Sequence, residues 1–141
     1  MLDPADLPGL LERSAGLLDA RGLIVWVADR SGSALFPMFA HGYSPAALAR
    51  MRGIHRDDEN ATALCYRLAE DRIVPARSGD PGAIVTPIVT PDGCVGVLAA
   101  EVAEGIEANA DRRALAGILA AQLSTLVTAP PAQNEPLQAQ G

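Results

Sequence analysis

The side chains best suited to chemistry in this sequence are two cysteines, Cys65 and Cys94, and two histidines, His41 and His55. A cysteine thiolate can act as a nucleophile or a redox centre, and an imidazole can act as a base or a metal ligand. Neither histidine has a His or Cys three or four positions further on, the spacing that brings two ligands to one metal. The sequence therefore predicts no metal site, and the cysteines remain the only candidates for covalent chemistry.

The other polar clusters do not match a catalytic or phosphate-binding pattern. The acidic run 57–59 lacks the alternating ligand spacing of a calcium loop. The segment 31–33 reads Ser-Gly-Ser, which is turn chemistry and not the strained Gly-x-Ser-x-Gly elbow of a serine nucleophile. No glycine-rich phosphate loop precedes a helix. We therefore predict that the chain is not an enzyme and has no catalytic residue.

Charge and composition exclude further classes of protein. The 141 residues carry a net charge of −6, and the densest basic cluster, 50–56, is followed at once by acids, which argues against nucleic-acid contact. We find no signal-peptide pattern and no apolar run that could span a bilayer, and we predict a cytoplasmic location with reduced thiols. The bias towards arginine and alanine is a habit of GC-rich bacterial genomes.

The first half of the chain predicts a helix followed by a hairpin. Apolar residues recur every three or four positions over 7–20, and Gly22 is predicted to close this helix. The β-branched run 22–28 and the apolar run 34–40 flank turn residues and predict two strands, with Pro37 marking an edge or a bulge. Ser44 and the following proline predict a short helix over 45–51.

The second half predicts a second hairpin between helices. After a polar loop, 53–59, Asn60 is placed to cap a helix through 61–69, and 72–74 predicts a short strand. Strands 83–89 and 95–100 flank a Pro-Asp-Gly turn, and a last helix is predicted over 107–127. This order predicts one α+β domain, 1–127, with an antiparallel sheet. The Pro-, Gln- and Ala-rich segment 128–141 is predicted to be a flexible tail or linker.

Four stretches in this order resemble the GAF family of sensory domains: 17–27, 35–45, 61–74 and 84–98. The last pairs a proline-containing strand with a glycine-containing one. PAS domains share a related plan. The resemblance implies a central antiparallel sheet of about six strands, with the N- and C-terminal helices on one face and short helices over a small-molecule pocket on the other. It also implies a homodimer formed through the terminal helices, which the wide apolar arc of the last helix supports independently.

Mapped onto this chain, the resemblance implies a set of ligand-binding side chains in the segments that surround the GAF cavity, while the ligand or cofactor itself stays unknown. These candidates are Trp26, Phe39, His41, Tyr43, Met51, Arg52, Cys65 and Tyr66.

The function predicted is a non-catalytic sensory or regulatory domain in signal transduction that binds a small molecule and dimerises. One alternative is a dimerisation module without a ligand. Another is a thiol enzyme similar to free-methionine sulfoxide reductase. The segment that would carry its catalytic cysteine, 73–78, has none, so we disfavour this alternative.

Overall fold

The fold is described from a computed structural model that covers residues 4–133, with side chains described for residues 5–127. Helix α1 (Leu7–Leu18) follows a short 3₁₀ turn, Pro4–Asp6. Its apolar positions Leu7, Leu11, Ala15 and Leu18 are all buried, so one face of the helix packs on the sheet.

The first predicted hairpin is confirmed as strands β1 (Ala20–Ala28) and β2 (Ala34–His41). Its turn is held by the Asp29 carboxylate, which accepts hydrogen bonds from the Ser31 hydroxyl at 2.9 Å and the Ser33 backbone N–H at 3.0 Å. Phe39 pairs with Val25, whereas Pro37 pairs with Trp26, so β2 contains one extra residue at this point. The bulge that Pro37 predicts is therefore present.

The middle of the chain follows the predicted order closely. Helix α2 (Pro45–Arg50) is capped by the Ser44 side chain, and helix α3 (Ala61–Leu68) by Asn60, whose side-chain oxygen accepts from the Ala63 N–H at 2.8 Å. Two short strands lie around α3: β3 (Ile54–His55) and β4 (Arg72–Val74). Strand β3 lies inside the segment predicted as a loop, where two residues of pairing leave no sequence signal.

The second predicted hairpin is confirmed as β5 (Gly82–Thr90) and β6 (Gly93–Val102). A second 3₁₀ turn, Ile106–Ala108, follows. Helix α4 (Ala110–Gln133) then begins after Asn109, whose side chain accepts from the Arg112 N–H at 2.9 Å. The helix thus begins later than predicted and continues past the predicted end at Val127. The rest of the predicted tail, 134–141, lies outside the described residues.

The six strands form one antiparallel sheet in the order β3-β2-β1-β6-β5-β4, which confirms the predicted α+β architecture. Helices α1 and α4 pack on one face, and we call the buried apolar residues there the terminal-helix core. Helix α3 packs on the other face over a smaller set, the α3-side core. This second core consists of Ile24, Trp26, Leu35, Cys65, Tyr66, Val85 and Val97.

One predicted helix end is wrong. Helix α1 ends at Leu18 and not at the predicted Gly22. Asp19 takes the left-handed conformation (φ 54°) that commonly follows the last residue of a helix. Gly22 instead lies within β1, where a Cβ atom would come within 2.6 Å of the Tyr43 ring. The glycine is therefore explained by close packing of an aromatic ring and not by a helix end.

Candidate functional site

Five of the eight predicted ligand-binding residues lie together on the α3 side of the sheet. Trp26, Cys65 and Tyr66 are members of the α3-side core, and Tyr43 and Met51 pack against it. The Cys65 side chain is fully buried, and Trp26 is only 7% exposed. These side chains therefore belong to, or pack against, a buried apolar cluster on this face of the sheet.

The other three predicted residues are placed elsewhere. Phe39 pairs with Val25 and His41 with Leu23, and both partners belong to the terminal-helix core, so Phe39 and His41 lie on the opposite face of the sheet. Arg52 is exposed in the loop after α2. The bulge in β2 explains the positions of Phe39 and His41, because one inserted residue exchanges the two faces for the strand residues that follow it.

Tyr66 joins α3 to the first hairpin. Its hydroxyl donates to the Gly32 carbonyl oxygen at 3.0 Å, and the Arg56 guanidinium lies 5.8 Å from the centre of its ring. Arg67 donates from one guanidinium nitrogen to the carbonyl oxygens of Arg56 and, at 3.1 Å, Asp58. The polar loop before α3 is thereby fixed against the helix.

A groove of about 480 Å³ opens at the end of the sheet where the two hairpin turns meet. We call it the hairpin-end groove. Because β1 and β6 are paired up to Val27 and Gly96, the turn after β1 and the turn before β6 are neighbours. The residues that line the groove are Val27, Ala28, Asp29, Arg30, Gly32, Tyr66, Asp92, Cys94, Val95 and Val127.

Of the eight residues predicted from the sequence, only Tyr66 reaches this groove. The sequence indicates only turns at Asp29 and Asp92, and both residues do lie in turns. The signal that could have found them is the pairing of β1 with β6, which joins residues about 70 positions apart and leaves no local pattern.

Both thiols are held in their protonated form. Burial first, and then the neighbouring Cys94, raise the pKa of Cys65 to about 12. Burial likewise raises the pKa of Cys94, whose thiol donates to the Gly96 carbonyl oxygen at 3.3 Å. A nucleophilic or redox-active cysteine needs the opposite shift, because the thiolate is the reactive species.

We therefore expect both cysteines to be poor nucleophiles in the folded protein. At neutral pH, iodoacetamide should alkylate Cys65 on the order of 1,000-fold more slowly than in the unfolded chain, and its rate should rise with pH as thiolate forms. Mass spectrometry of samples quenched over time measures this, with denatured protein as the control. Fast labelling of Cys65 at neutral pH in the folded state would contradict the assignment.

The segment 73–78, in which a sulfoxide reductase would carry its catalytic cysteine, is held by a carboxylate. Glu107 accepts from the Ala76 backbone N–H at 3.0 Å and from the Gly105 N–H at 2.9 Å. These bonds, that from Ala76 first, lower the pKa of Glu107 and keep it ionised. Its side chain lies directly over Gly82, where a Cβ atom would come within 2.6 Å of it. This arrangement fixes the loop before β5, and the segment 73–78 contains no cysteine.

The part of the chain that the structure describes contains no cluster of side chains that could bind a metal ion. Within residues 4–133, no three His, Cys, Asp or Glu side chains converge. His55 ends β3, and its ring nitrogen accepts from the Asp57 N–H at 3.2 Å, while His41 ends β2. Over the same residues, no helix combines the length and apolar character needed to cross a membrane.

Comparison with known proteins yields matches in structure only. No protein-family model and no curated protein sequence matches the chain significantly. Among solved structures, the GAF domain of a phosphoenolpyruvate-protein phosphotransferase from Coxiella burnetii superposes with a TM-score of 0.76 at 15% identity, over 92% of this chain and 84% of that one. The second GAF domain of DevS from Mycobacterium smegmatis gives 0.70 at 23% identity, over 94% and 98%.

An enzyme is also among the similar structures. The type II free methionine-R-sulfoxide reductase from Thermoplasma acidophilum superposes with a TM-score of 0.70 at 11% identity, over 87% of this chain and 90% of that one. Similarity at these identities reflects the arrangement of strands and helices, which sensory domains and this reductase share. The strand order, the helix placement and these superpositions lead to one conclusion: the chain has the fold of a GAF domain.

Proposed function

We propose that this chain is a non-catalytic regulatory domain of the GAF type, that it acts as a homodimer held together by α1 and α4, and that it responds to a small molecule. The observation that carries the proposal is the outer face of α4, which points away from the sheet. It consists of the exposed residues Ala114, Ile118, Ala121, Gln122 and Thr125.

This outer face lacks the charges expected of a helix surface in water. The sequence has no charged residue between Arg113 and Glu135, and Ile118 is 60% exposed. A helix that is apolar or uncharged on all sides normally has a partner on more than one side. The sheet covers only one side of α4, so a second cover is expected on the other.

Spacing on the outer face favours a second copy of the same helix as that cover. Ala114, Ile118, Ala121 and Thr125 follow intervals of four, three and four residues, the pattern of a two-helix seam. Small side chains at most of these positions permit two backbones to approach closely. Because each copy presents the same stripe, a two-fold arrangement buries both at once.

Helix α1 extends the same surface. Leu17 is 62% exposed and lies with Ile118 at a groove of about 280 Å³ between α1 and α4. Leu10 and Leu115 also line this groove. Exposed leucine and isoleucine side chains grouped in one place are typical of a protein contact.

The oligomeric state tests the proposal. Sedimentation of the wild-type chain should give a dimer of twice the 14.6 kDa chain mass. Ile118→Glu should raise the dimer dissociation constant by about 100-fold or more, because the two-fold axis brings like charges together in an apolar contact. Leu17→Glu should act in the same direction.

Leu68→Glu is the matched control, since Leu68 is 49% exposed at the end of α3, away from α1 and α4. This variant should remain dimeric. A monomeric wild-type chain, or equal weakening by Leu68→Glu, would refute the dimer contact.

Two observations support the non-catalytic part of the proposal. Both thiols have raised pKa values, and neither cysteine lies in the segment 73–78. The resemblance to the sulfoxide reductase concerns the fold, at 11% identity, and brings no matching nucleophile with it. We therefore do not extend the activity of that enzyme to this chain.

A further inference from the structure

We propose that the hairpin-end groove is an effector site for a small organic cation, a molecule with a protonated amine on an apolar body. The inference rests on the proposed function, because it supplies the ligand class for a regulatory domain. Of the residues predicted to bind a ligand under α3, Trp26, Cys65 and Tyr66 are buried in the α3-side core, whereas this groove is open to solvent.

The shape of the groove suits a small organic ligand. Its volume of about 480 Å³ falls in the range of roughly 300–1,000 Å³ found for small-molecule sites. Its strand lining is apolar: Val27 and Val95 lie on the terminal-helix side and Ala28 on the α3 side, so the groove wraps around the end of β1 and β6. Tyr66 adds an aromatic ring from α3. An aliphatic or aromatic body of a few carbon atoms can therefore be removed from water there.

The charges at the rim of the groove favour a ligand of positive charge. Among the residues that line the groove, Asp29 and Asp92 in the two hairpin turns outnumber one guanidinium, that of Arg30. The nearby Arg56 guanidinium lies over the Tyr66 ring and does not line the groove. The Cys94 thiol is protonated and adds no charge. The lining is thus net negative, which attracts a cation and repels an anion.

The two carboxylates differ in what they already bind. Asp29 is fixed by hydrogen bonds from Ser31 and Ser33. Desolvation acts against ionisation, but these bonds outweigh it and lower the pKa of Asp29, so its charge is permanent at neutral pH. Within the described part of the chain, the Asp92 carboxylate makes no hydrogen bond or ion pair, and it remains available to an ammonium group.

The groove is also placed where an effector can influence the proposed dimer. Val127 lines it from α4, the helix whose outer face carries the dimer seam. A ligand between the hairpin turns and Val127 contacts the sheet and this helix together. Binding that prefers one position of α4 would shift the population of dimer arrangements.

The test uses three probes of similar size and different charge: 2-phenylethylammonium, 2-phenylethanol and 3-phenylpropanoate. Each is titrated into the 141-residue chain while backbone amide shifts are followed by NMR. The amine should shift the amides of Gly32 and Cys94 saturably, and the alcohol and the acid should bind at least severalfold more weakly. Equal binding of all three probes, or no saturable shift at these amides, would overturn the inference.

A pair of isosteric variants locates the charge. Asp92→Asn should weaken amine binding about threefold, the size expected when one exposed charge pair is lost. Asp80→Asn, a turn aspartate in the loop before β5, should leave binding unchanged. If both variants weaken binding equally, the effect is one of overall charge and the site is not this groove. A wild-type dimer that binds no probe refutes this inference alone, whereas a monomeric wild-type chain refutes the proposed function.

Discussion

Gly96→Ala should lower the free energy of unfolding by about 3 kcal/mol, in the upper range for overpacking a buried position. A Cβ atom at Gly96 would lie 2.3 Å from the carbonyl oxygen of Trp26 on the neighbouring strand. That distance is far inside van der Waals contact, and the obstructing atom is backbone in the middle of the sheet. The strain can be relieved only if β1 and β6 move apart, which weakens the ladder that joins the two hairpins.

Chemical denaturation followed by far-UV circular dichroism measures the loss. Gly16→Ala is the matched control, because Gly16 is exposed in α1 and nothing lies within 4 Å of the added atom. In that helix, alanine should raise stability by about 0.5 kcal/mol. The same chemical change is thus expected to act with opposite sign at the two sites. A Gly96→Ala protein as stable as the wild type would show that β1 and β6 are not paired as described.

This glycine illustrates what the sequence can predict and what it cannot. Local signals specify each hairpin: turn residues such as Asp29 and Gly93 lie between apolar runs, and the caps Ser44 and Asn60 precede their helices as predicted. The pairing of β1 with β6 is set by tertiary packing across about 70 residues and has no local signal. Both the need for glycine at position 96 and the meeting of the hairpin turns depend on that pairing.

The candidate site also combines a feature that the sequence predicts with one that it does not. Pro37 indicates that β2 is irregular, and a bulge is present there. The sequence does not show where the extra residue lies, and therefore which residues of β2 face α3 and which face the terminal helices. Leu35 lies on the α3 side, and unbroken alternation would place Phe39 there as well, but the inserted residue moves it to the terminal-helix side. Phe39 and His41, the two predicted pocket residues of this strand, therefore both lie on the terminal-helix side, opposite the predicted residues that pack on the α3 side.

The second large effect concerns Trp26, which the resemblance assigns to a ligand site and the structure places in a core. Trp26→Ala should lower the free energy of unfolding by about 3–5 kcal/mol, the cost of removing a large buried aromatic side chain and leaving a cavity. Trp26 is 7% exposed, and the other members of the α3-side core include Cys65, Tyr66 and Val97. None of these short or ring-shaped side chains can extend to fill the space.

Far-UV circular dichroism must follow this unfolding, because Trp26 is the only tryptophan in the chain and its fluorescence is lost with it. Leu68→Ala is the control, since that exposed leucine should change stability by no more than about 0.5 kcal/mol. Trp26→Phe, which keeps one ring, should fall between the two. The comparison separates two roles for Trp26. If it is a core side chain, its removal lowers the free energy of unfolding whether or not a ligand is added. If it instead contacts a ligand at the wall of an open pocket, Trp26→Ala should leave the unliganded protein nearly as stable as the wild type. That result would support a site under α3 as the place where this domain binds its effector.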